Sequence, residues 1–323
     1  MFISKKYMTA FMSFVISVVV FLPSIANACS SCGCTLSSDW DSQGYSTHSG
    51  LRFDLRYDYL NQDQLRSGTG TVDRSDYKPP QTKEIEDYTV NHYTTLGIDY
   101  SPNKEWGINL QIPYIDRPHK TVAPTDITAS YSDVSGLGDI KLVGRYQGFT
   151  KEHNVGVQFG LKLPTGNTDD TFSSGPEAGE PLDRGLQAGT GTTDLILGIY
   201  TFGGINKDWD YFAQGFIQEP LNSYHDYKVG TSENVNMGVR YMAYKTVTPQ
   251  LQVNFKTGEK DEGAEADADN SGGTLAYLSP GATVSITKQL NTFVFVQVPI
   301  YQDVNGFQLT PRYTASFGIH YSL

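Results

Sequence analysis

From residue 50 to the end of the chain, apolar and polar residues alternate with a period of two. In the first segment Leu51, Phe53 and Leu55 fall on one face, and Arg52 and Asp54 fall on the other. This alternation is typical of a β-strand with one apolar face, because successive side chains of a strand point to opposite sides of the sheet. The pattern predicts twelve strands, at about 51–60, 90–100, 105–115, 138–148, 154–164, 193–203, 208–218, 233–244, 249–257, 275–287, 292–302 and 309–323.

The connections between these predicted strands also alternate, in length. Short turns such as 101–104 and 204–207 are followed by long polar connections such as 165–192, and only the connection 303–308 departs from this order. Short turns on one side, long loops on the other and an even strand number are typical of bacterial outer-membrane barrels. The sequence therefore predicts an all-β protein with a transmembrane, antiparallel up-and-down β-barrel over 50–323. Its turns and both termini are expected in the periplasm, its long loops outside the cell, and its outer face against membrane lipid and lipopolysaccharide.

The first 28 residues have the features of a signal peptide. Two lysines precede a mostly apolar run at 7–22, and the segment closes with Ala26-Asn27-Ala28, the small-x-small pattern of a cleavage site. The run is short and wrongly flanked for a membrane helix. We therefore expect cleavage before Cys29, a periplasmic segment over 29–49 and delivery of the barrel to the outer membrane.

The composition supports a β-protein and excludes nucleic acid as a partner. The 323 residues include 21 Tyr and 32 Gly but only 18% charged residues, with a formal net charge of −11. Tyr is favoured in strands that are buried on one face. Binding of nucleic acid requires clustered Lys and Arg, which an acidic chain of this kind does not supply.

Charged side chains are predicted to face the barrel interior. Strand alternation places twelve of them there: Arg52, Asp54, Arg56, Asp58, Asp99, Asp139, Lys141, Arg145, Lys162, Arg240, Lys256 and Arg312. Barrels of eight strands are filled by side chains and those of sixteen hold an aqueous channel, so twelve strands predict a narrow, partly obstructed pore. Two interpretations stay open: the charges pair with one another across strands, or the cationic ones form a constriction that favours anions. An aromatic patch that could accept apolar rings is also predicted inside: Phe212, Phe216, Phe293 and Phe295.

Three stretches of the chain resemble a known family. They are Gly136-Leu137-Gly138-Asp139 with the following IKLVGRYQ, GLKLPTGNTDD at 160–170, and LDRGLQAGTGTTDLILG at 182–198. Together they resemble the outer-membrane family of meta-pathway phenol-degradation proteins, also described as transporters. The resemblance implies an outer-membrane barrel that passes small or aromatic compounds. The predicted function is therefore an outer-membrane channel or transporter for small, aromatic or apolar molecules.

The cysteines suggest an alternative function. Cys29, Cys32 and Cys34 are the only three cysteines of the chain and lie within six residues of one another. Three adjacent thiolates suit a soft ion, Cu(I) or Zn(II), with His48 or His320 as a further ligand from the same rim. A disulfide between Cys29 and Cys32 is the other interpretation. The alternative is thus a barrel-anchored metal-handling or thiol-redox protein with a periplasmic metal-carrier or redox partner.

The sequence does not predict an enzyme. The H-x-S-N-G stretch of the twelve-stranded outer-membrane phospholipase is absent, and so are the G-x-S-x-G, H-E-x-x-H and phosphate-loop motifs. A group of oxygen ligands at Glu265, Asp267, Asp269 and Asn270 lacks the rest of a Ca²⁺-binding loop. We interpret that group as a solvated acidic loop.

Overall fold

A computed structural model describes residues 49–77 and 84–323. The predicted signal peptide and the cysteine segment, up to and including His48, lie outside the described residues. Within the described ranges the chain forms thirteen β-strands and three short 3-10 turns. No helix in these ranges is both long enough and apolar enough to cross a membrane.

The strands are β1 (Gly50–Gly68), β2 (Gly70–Thr71), β3 (Ile85–Ser101), β4 (Trp106–Val122), β5 (Ser130–Leu137), β6 (Ile140–Tyr146), β7 (Val155–Leu163), β8 (Asp194–Gly204), β9 (Trp209–Pro220), β10 (Ser232–Tyr241), β11 (Val247–Gly258), β12 (Gly273–Ser285) and β13 (Leu290–Ser322). Eleven of them pair in antiparallel order around one sheet, and pairing of β13 with β1 closes that sheet into a barrel. The other two, β2 and β5, pair with one barrel strand each. The fold is the closed antiparallel barrel that the sequence predicts.

The last strand, β13, crosses the barrel wall twice. Its first part, up to Val304, pairs with β12, and its last part, from Gln308, pairs with β1, which also meets Val304 through Gly68. Across this hairpin the Gln302 side-chain amide donates a hydrogen bond to the Pro311 carbonyl oxygen at 3.1 Å. With β13 counted as two passes, the eleven barrel elements make twelve passes of the wall.

The largest differences in strand length from the prediction are in β1, β3 and β4. β1 has 19 residues, and β3 and β4 have 17 each, whereas the apolar alternation predicts about ten to eleven in each case. The apolar alternation stops where side chains no longer face lipid. The antiparallel ladder continues beyond that point, because it satisfies backbone N–H and C=O groups whatever the side chains are.

The two ends of the barrel differ. At the short-turn end, strands are joined by turns such as 102–105 and 205–208, whereas the long-loop end carries connections such as 164–193 between β7 and β8. At the short-turn end aromatic rings contact one another on the outer face, with centroids 4.7 Å apart for Trp106 and Tyr146. Such a ring of aromatics is typical of a membrane interface.

Between the two ends the outward side chains form an apolar band. Exposed members of the band on different strands are Leu55, Ile108, Leu142, Phe159, Leu197, Val253, Val296 and Ile319. In a protein surrounded by water an exposed apolar surface of this extent would be costly. A surrounding lipid bilayer removes that cost.

Candidate functional site

At the short-turn end of the interior, Asp99 of β3 holds two arginines. Arg52 of β1 and Arg145 of β6 both form ion pairs with its carboxylate, and all three side chains are at most 4% exposed. The Ser101 hydroxyl accepts from the same guanidinium groups, at 2.7 Å from Arg52 Nη2 and 2.6 Å from Arg145 Nη2. Arg145 reaches Asp99 across β4 because that strand has Gly107 at the crossing, where a Cβ would lie 2.4 Å from the guanidinium carbon. The cluster ties three elements of the wall together.

The neighbouring inward residues of β1 are also paired. Asp54 accepts from His320 Nδ1 at 2.7 Å, and Asp58 lies 2.7 Å from Arg56 Nε. Asp58 additionally accepts from the Ser316 hydroxyl at 2.5 Å. Charges at this end therefore lie in pairs, between strands around Asp99 and Asp54 and within β1 for Arg56 and Asp58, as in the first of the two interpretations of the interior charges.

Neutral amides occupy the middle of the barrel. Gln214 of β9 donates to Gln158 of β7 at 2.7 Å, and Asn254 of β11 donates to Asn236 of β10 at 2.7 Å. The Thr314 hydroxyl also donates to the side-chain oxygen Oε1 of Gln297 within β13, at 2.7 Å. These residues are absent from the predicted set, which contains only charges and aromatics. Their sequence signal is the recurrence of Asn and Gln at inward positions of successive strands.

Aromatic rings line part of the same interior. Phe212, Phe293 and Phe295 are buried on the inner wall. The Phe293 and Phe295 centroids lie 6.0 Å apart, and the Arg240 guanidinium carbon lies 5.5 Å from the Phe212 centroid. The interior thus offers both apolar ring faces and neutral hydrogen-bonding groups.

At the long-loop end, the connection between β7 and β8 folds back onto the barrel. Its residues Phe172, Leu182, Leu186 and Ala188 are buried in one cluster with Ile115 of β4 and Val134 of β5. Burial of this apolar surface against the wall supplies the driving force for the inward fold. We call residues 164–193 the inner connection.

One buried arginine fastens the inner connection to the wall. Arg117 Nη1 donates to the carbonyl oxygens of Gly185 and Gln187, each at 3.1 Å, while its Nε donates to Asn91 Oδ1 at 2.6 Å. Arg117 is absent from the predicted set because the apolar alternation that marks strands ends before it. If the alternation of β4 is continued past the predicted end at 115, Ile115 and Arg117 both fall on the inner face. That continuation is the sequence signal for Arg117.

A second contact fastens both ends of the inner connection. Lys162 Nζ lies 3.0 Å from the carboxylates of Asp139 and Asp194. Asp139 also accepts from the backbone N–H of Thr190 at 3.0 Å and of Gly166 at 3.1 Å. These residues come from the three stretches that carry the family resemblance. The motifs therefore do more than form local turns, because they meet in space and hold the inner connection in place.

One charged residue departs from the predicted inward set. The register of β1 with β13 shifts between Leu60 and Gln62, opposite Arg312, so that Arg312 and Tyr313 are both exposed. The Arg312 side chain is 65% exposed and forms a 3.1 Å ion pair with Asp63. A β-bulge breaks strict alternation, and this one moves Arg312 out of the inward series.

The other predicted cations lie on the inner face. Lys141 donates to Gln218 at 3.1 Å and Arg240 to Asp210 at 2.7 Å, and Lys256 is buried. Whether these residues line a conducting path stays a prediction.

The predicted metal site falls mostly outside the described residues, since Cys29, Cys32, Cys34 and His48 all do. His320 is described, and both its ring nitrogens have partners: Asp54 at 2.7 Å and the Ser322 hydroxyl at 3.0 Å. Within 49–77 and 84–323 no three His, Cys, Asp or Glu side chains are arranged to hold a metal ion. The Cu(I) or Zn(II) site therefore stays a prediction.

Comparisons with known proteins agree with this architecture. No protein-family model matches the chain, and no curated protein matches its sequence. An outer-membrane channel from Pseudomonas putida F1 is similar in structure, with a TM-score of 0.65 and 12% identity over 89% of this chain and 100% of that one. The toluene transporter TbuX of Ralstonia pickettii matches with a TM-score of 0.44 and 10% identity, over 85% of this chain and 90% of that one. The β-domain of a Bordetella autotransporter matches with a TM-score of 0.47 and 12% identity, over 85% of this chain and 100% of that one. The chain has the fold of an outer-membrane β-barrel.

Proposed function

We propose that this protein is an outer-membrane channel for small solutes, with aromatic or weakly polar molecules as its preferred class. The observation that carries the proposal is the pairing of an apolar outer band with a polar interior in a closed barrel. A barrel that served only as an anchor would have no need of an interior lined by amides, ion pairs and aromatic rings. The periplasmic position of the turns and termini is part of the same proposal.

The solute class follows from the inner wall. Neutral amides such as Gln158 and Asn236 can exchange hydrogen bonds with a weakly polar group, and the ring faces of Phe212 and Phe295 can contact an aromatic solute. The charged residues of the described interior lie mainly in ion pairs, which weakens their attraction for free ions. The resemblance to the phenol-degradation family supports the same class.

Efflux from proteoliposomes tests the proposal. Vesicles that contain the purified, folded barrel are loaded with benzenesulfonate, which is permanently charged and crosses lipid slowly, or with a disaccharide. We expect benzenesulfonate to leave faster than from protein-free vesicles, and the disaccharide to be retained longer. Equal retention with and without the protein would refute the channel proposal, provided that heat-modifiable mobility shows a folded barrel.

Replacing Arg117 by Ala should increase efflux. The change removes the donors that hold the Gly185 and Gln187 carbonyl oxygens, and hydrogen bonds from a charged group contribute about 1.5–3 kcal/mol each. Loss of this support should shift the inner connection toward an open arrangement and raise benzenesulfonate efflux about tenfold or more.

Arg312→Ala is the matched control for Arg117→Ala. It removes an arginine from the same end of the barrel, but one that is exposed and forms an ion pair with Asp63. We expect wild-type efflux from this variant. Unchanged efflux from a folded Arg117→Ala barrel would mean that the inner connection does not limit passage.

A further inference from the structure

A cavity of about 60 Å³ lies where the connections of the long-loop end meet. Glu84 and Glu86 line it from the start of β3, and Asp183 lines it from the inner connection. Asp261 and Asp267 line it from the connection between β11 and β12. Five carboxyl groups from three separate segments therefore border one small space at the mouth of the barrel.

The basic groups around this mouth are engaged elsewhere. Arg184, which also borders the cavity, donates to the Thr168 carbonyl oxygen at 3.3 Å and lies 5.7 Å from the Tyr224 ring centroid. Arg74 donates to three backbone carbonyl oxygens, and Lys120 pairs with Asp87 at 2.5 Å. Lys260 pairs with Asp269 at 3.4 Å, and Lys228 lies 3.8 Å from Glu219.

The carboxyl groups divide into two kinds by their partners. Asp261 accepts from the Tyr227 hydroxyl at 3.0 Å and from the Gly230 backbone N–H at 2.8 Å, and Asp267 accepts from Asn270. Glu84 accepts a hydrogen bond from a neutral group, the Thr121 hydroxyl, at 2.6 Å. Within the described part of the chain, Glu84, Glu86 and Asp183 form no ion pair with a cation. Protonation of these carboxyl groups relieves the repulsion between them.

We propose that Glu84, Glu86 and Asp183 form a proton-operated latch, which holds the inner connection against the start of β3 in acid and releases it when the carboxyl groups ionise. The latch deepens the proposed channel function, on which its physiological meaning rests, by adding a regulation of the same mouth. Glu84 precedes a barrel strand, whereas Asp183 belongs to the segment that fills the mouth. Separation of these two groups therefore moves the inner connection relative to the wall.

The direction of the pH response follows from the environment of the two loop carboxyl groups. Burial, together with the negative charge of Asp183, raises the pKa of Glu84 to about 7. Desolvation within the narrow mouth, followed by the charge of Asp267, also raises the pKa of Asp183, although part of that residue is exposed. A carboxyl whose pKa is higher in the closed mouth binds its proton more tightly there than in an open one. Closure is therefore favoured below the ordinary carboxyl pKa and is lost as pH rises through about 7.

Limited tryptic cleavage after Arg184 tests the latch without relying on transport. Wild type and Glu84→Gln are digested side by side at pH 8.0 and at pH 5.5, so that the pH dependence of trypsin cancels in their ratio. At pH 8.0 we expect wild type to be cut at least about tenfold faster than Glu84→Gln, because its latch is ionised; at pH 5.5, below the raised pKa of Glu84, the ratio should be clearly smaller. A ratio near one at both pH values would overturn the proposal.

Controls separate the latch from general effects of charge. Glu265→Gln removes an exposed carboxyl of the same end that does not line the cavity, and it should behave as wild type. Cleavage after Lys207, whose side chain is 89% exposed at the short-turn end, should not differ between variants. If Glu84→Gln does not fold, Asp183→Asn tests the opposite side of the latch with the same expected ratio.

Benzenesulfonate efflux at the same two pH values distinguishes failure of the latch from failure of the channel. A pH-dependent cleavage ratio without efflux at either pH would retain the latch and refute the channel. Efflux that is equal at both pH values, with a cleavage ratio near one, would refute the latch and retain the channel.

Discussion

Asp99→Asn should destabilise the barrel by about 3–5 kcal/mol, the cost of breaking a buried ion pair by removal of one partner. Arg52 and Arg145 lose the carboxylate that both contact, and each is at most 4% exposed. The two guanidinium groups are then left close together in a poorly hydrated space. Equilibrium unfolding in urea, with the barrel in lipid vesicles and tryptophan fluorescence as the signal, measures the change in the free energy of unfolding.

Asp63→Asn provides the matched control for Asp99→Asn. It removes a carboxylate that also pairs with an arginine, but the Arg312 side chain is 65% exposed and the Asp63 side chain 36%. Exposed pairs of this kind contribute about 0–1 kcal/mol. Similar losses for the two variants would contradict the view that the Asp99 cluster is a buried fastening of the wall.

Leu197→Arg should lower the free energy of unfolding by about 2–4 kcal/mol, the range for a cation on the lipid face near the bilayer midplane. Leu197 lies in the middle of β8, is 45% exposed, and pairs with Phe159 and Ile217 on the neighbouring strands. We expect comparable losses for Leu110→Arg and Val157→Arg. The same unfolding measurement, in vesicles of constant lipid composition, gives the difference from wild type.

Gln111→Arg is the control for the lipid face. Gln111 lies one residue from Leu110 on the opposite face of β4, is half-buried, and donates to Asn109 at 2.9 Å. We expect Gln111→Arg to lower the free energy of unfolding by less than about 1 kcal/mol, because the new charge is not placed in lipid or in a closely packed site. Gln158 also faces inward but is less suitable as a control position, because it is buried and accepts a hydrogen bond from Gln214. Equal tolerance at Leu197 and Gln111 would mean that the assignment of inner and outer faces is wrong.

The barrel could be predicted from sequence because two of its determinants are local. A strand between lipid and a polar interior must alternate, so Leu51, Arg52 and Phe53 already reveal their faces. The lengths of the connections then fix an up-and-down order. Contacts between distant residues leave no comparable trace in a single sequence.

The inner connection shows what could not be predicted. Its inward fold depends on Arg117 meeting Gly185, and on Asp139 meeting Thr190, which are residues far apart in the chain. The motif stretches are visible in the sequence, but their glycines and aspartate equally suit isolated turns. Gly166 packs directly against the backbone of Gly189, where a Cβ would lie 2.7 Å from the Gly189 Cα, and only the fold reveals this contact.

Arg312 marks a limit of alternation itself. The register shift between Leu60 and Gln62, one of three in the pairing of β1 with β13, changes which residues face inward, while the pattern of apolar residues from Tyr313 to Tyr321 looks uninterrupted. The bulge arises from pairing with β1 and not from the sequence of β13 alone. The alternation of inward and outward residues is therefore a dependable guide within a regular strand ladder, and it fails where a bulge shifts the register.

Single-channel recording in planar lipid bilayers tests the central claim most directly. Folded wild-type barrel should give discrete conductance steps, and addition of benzenesulfonate should reduce the current. Arg117→Ala should give larger steps, and Arg312→Ala steps of wild-type size. Absence of steps from both wild type and Arg117→Ala, when heat-modifiable mobility shows both to be folded, would contradict the proposal that this barrel is a channel.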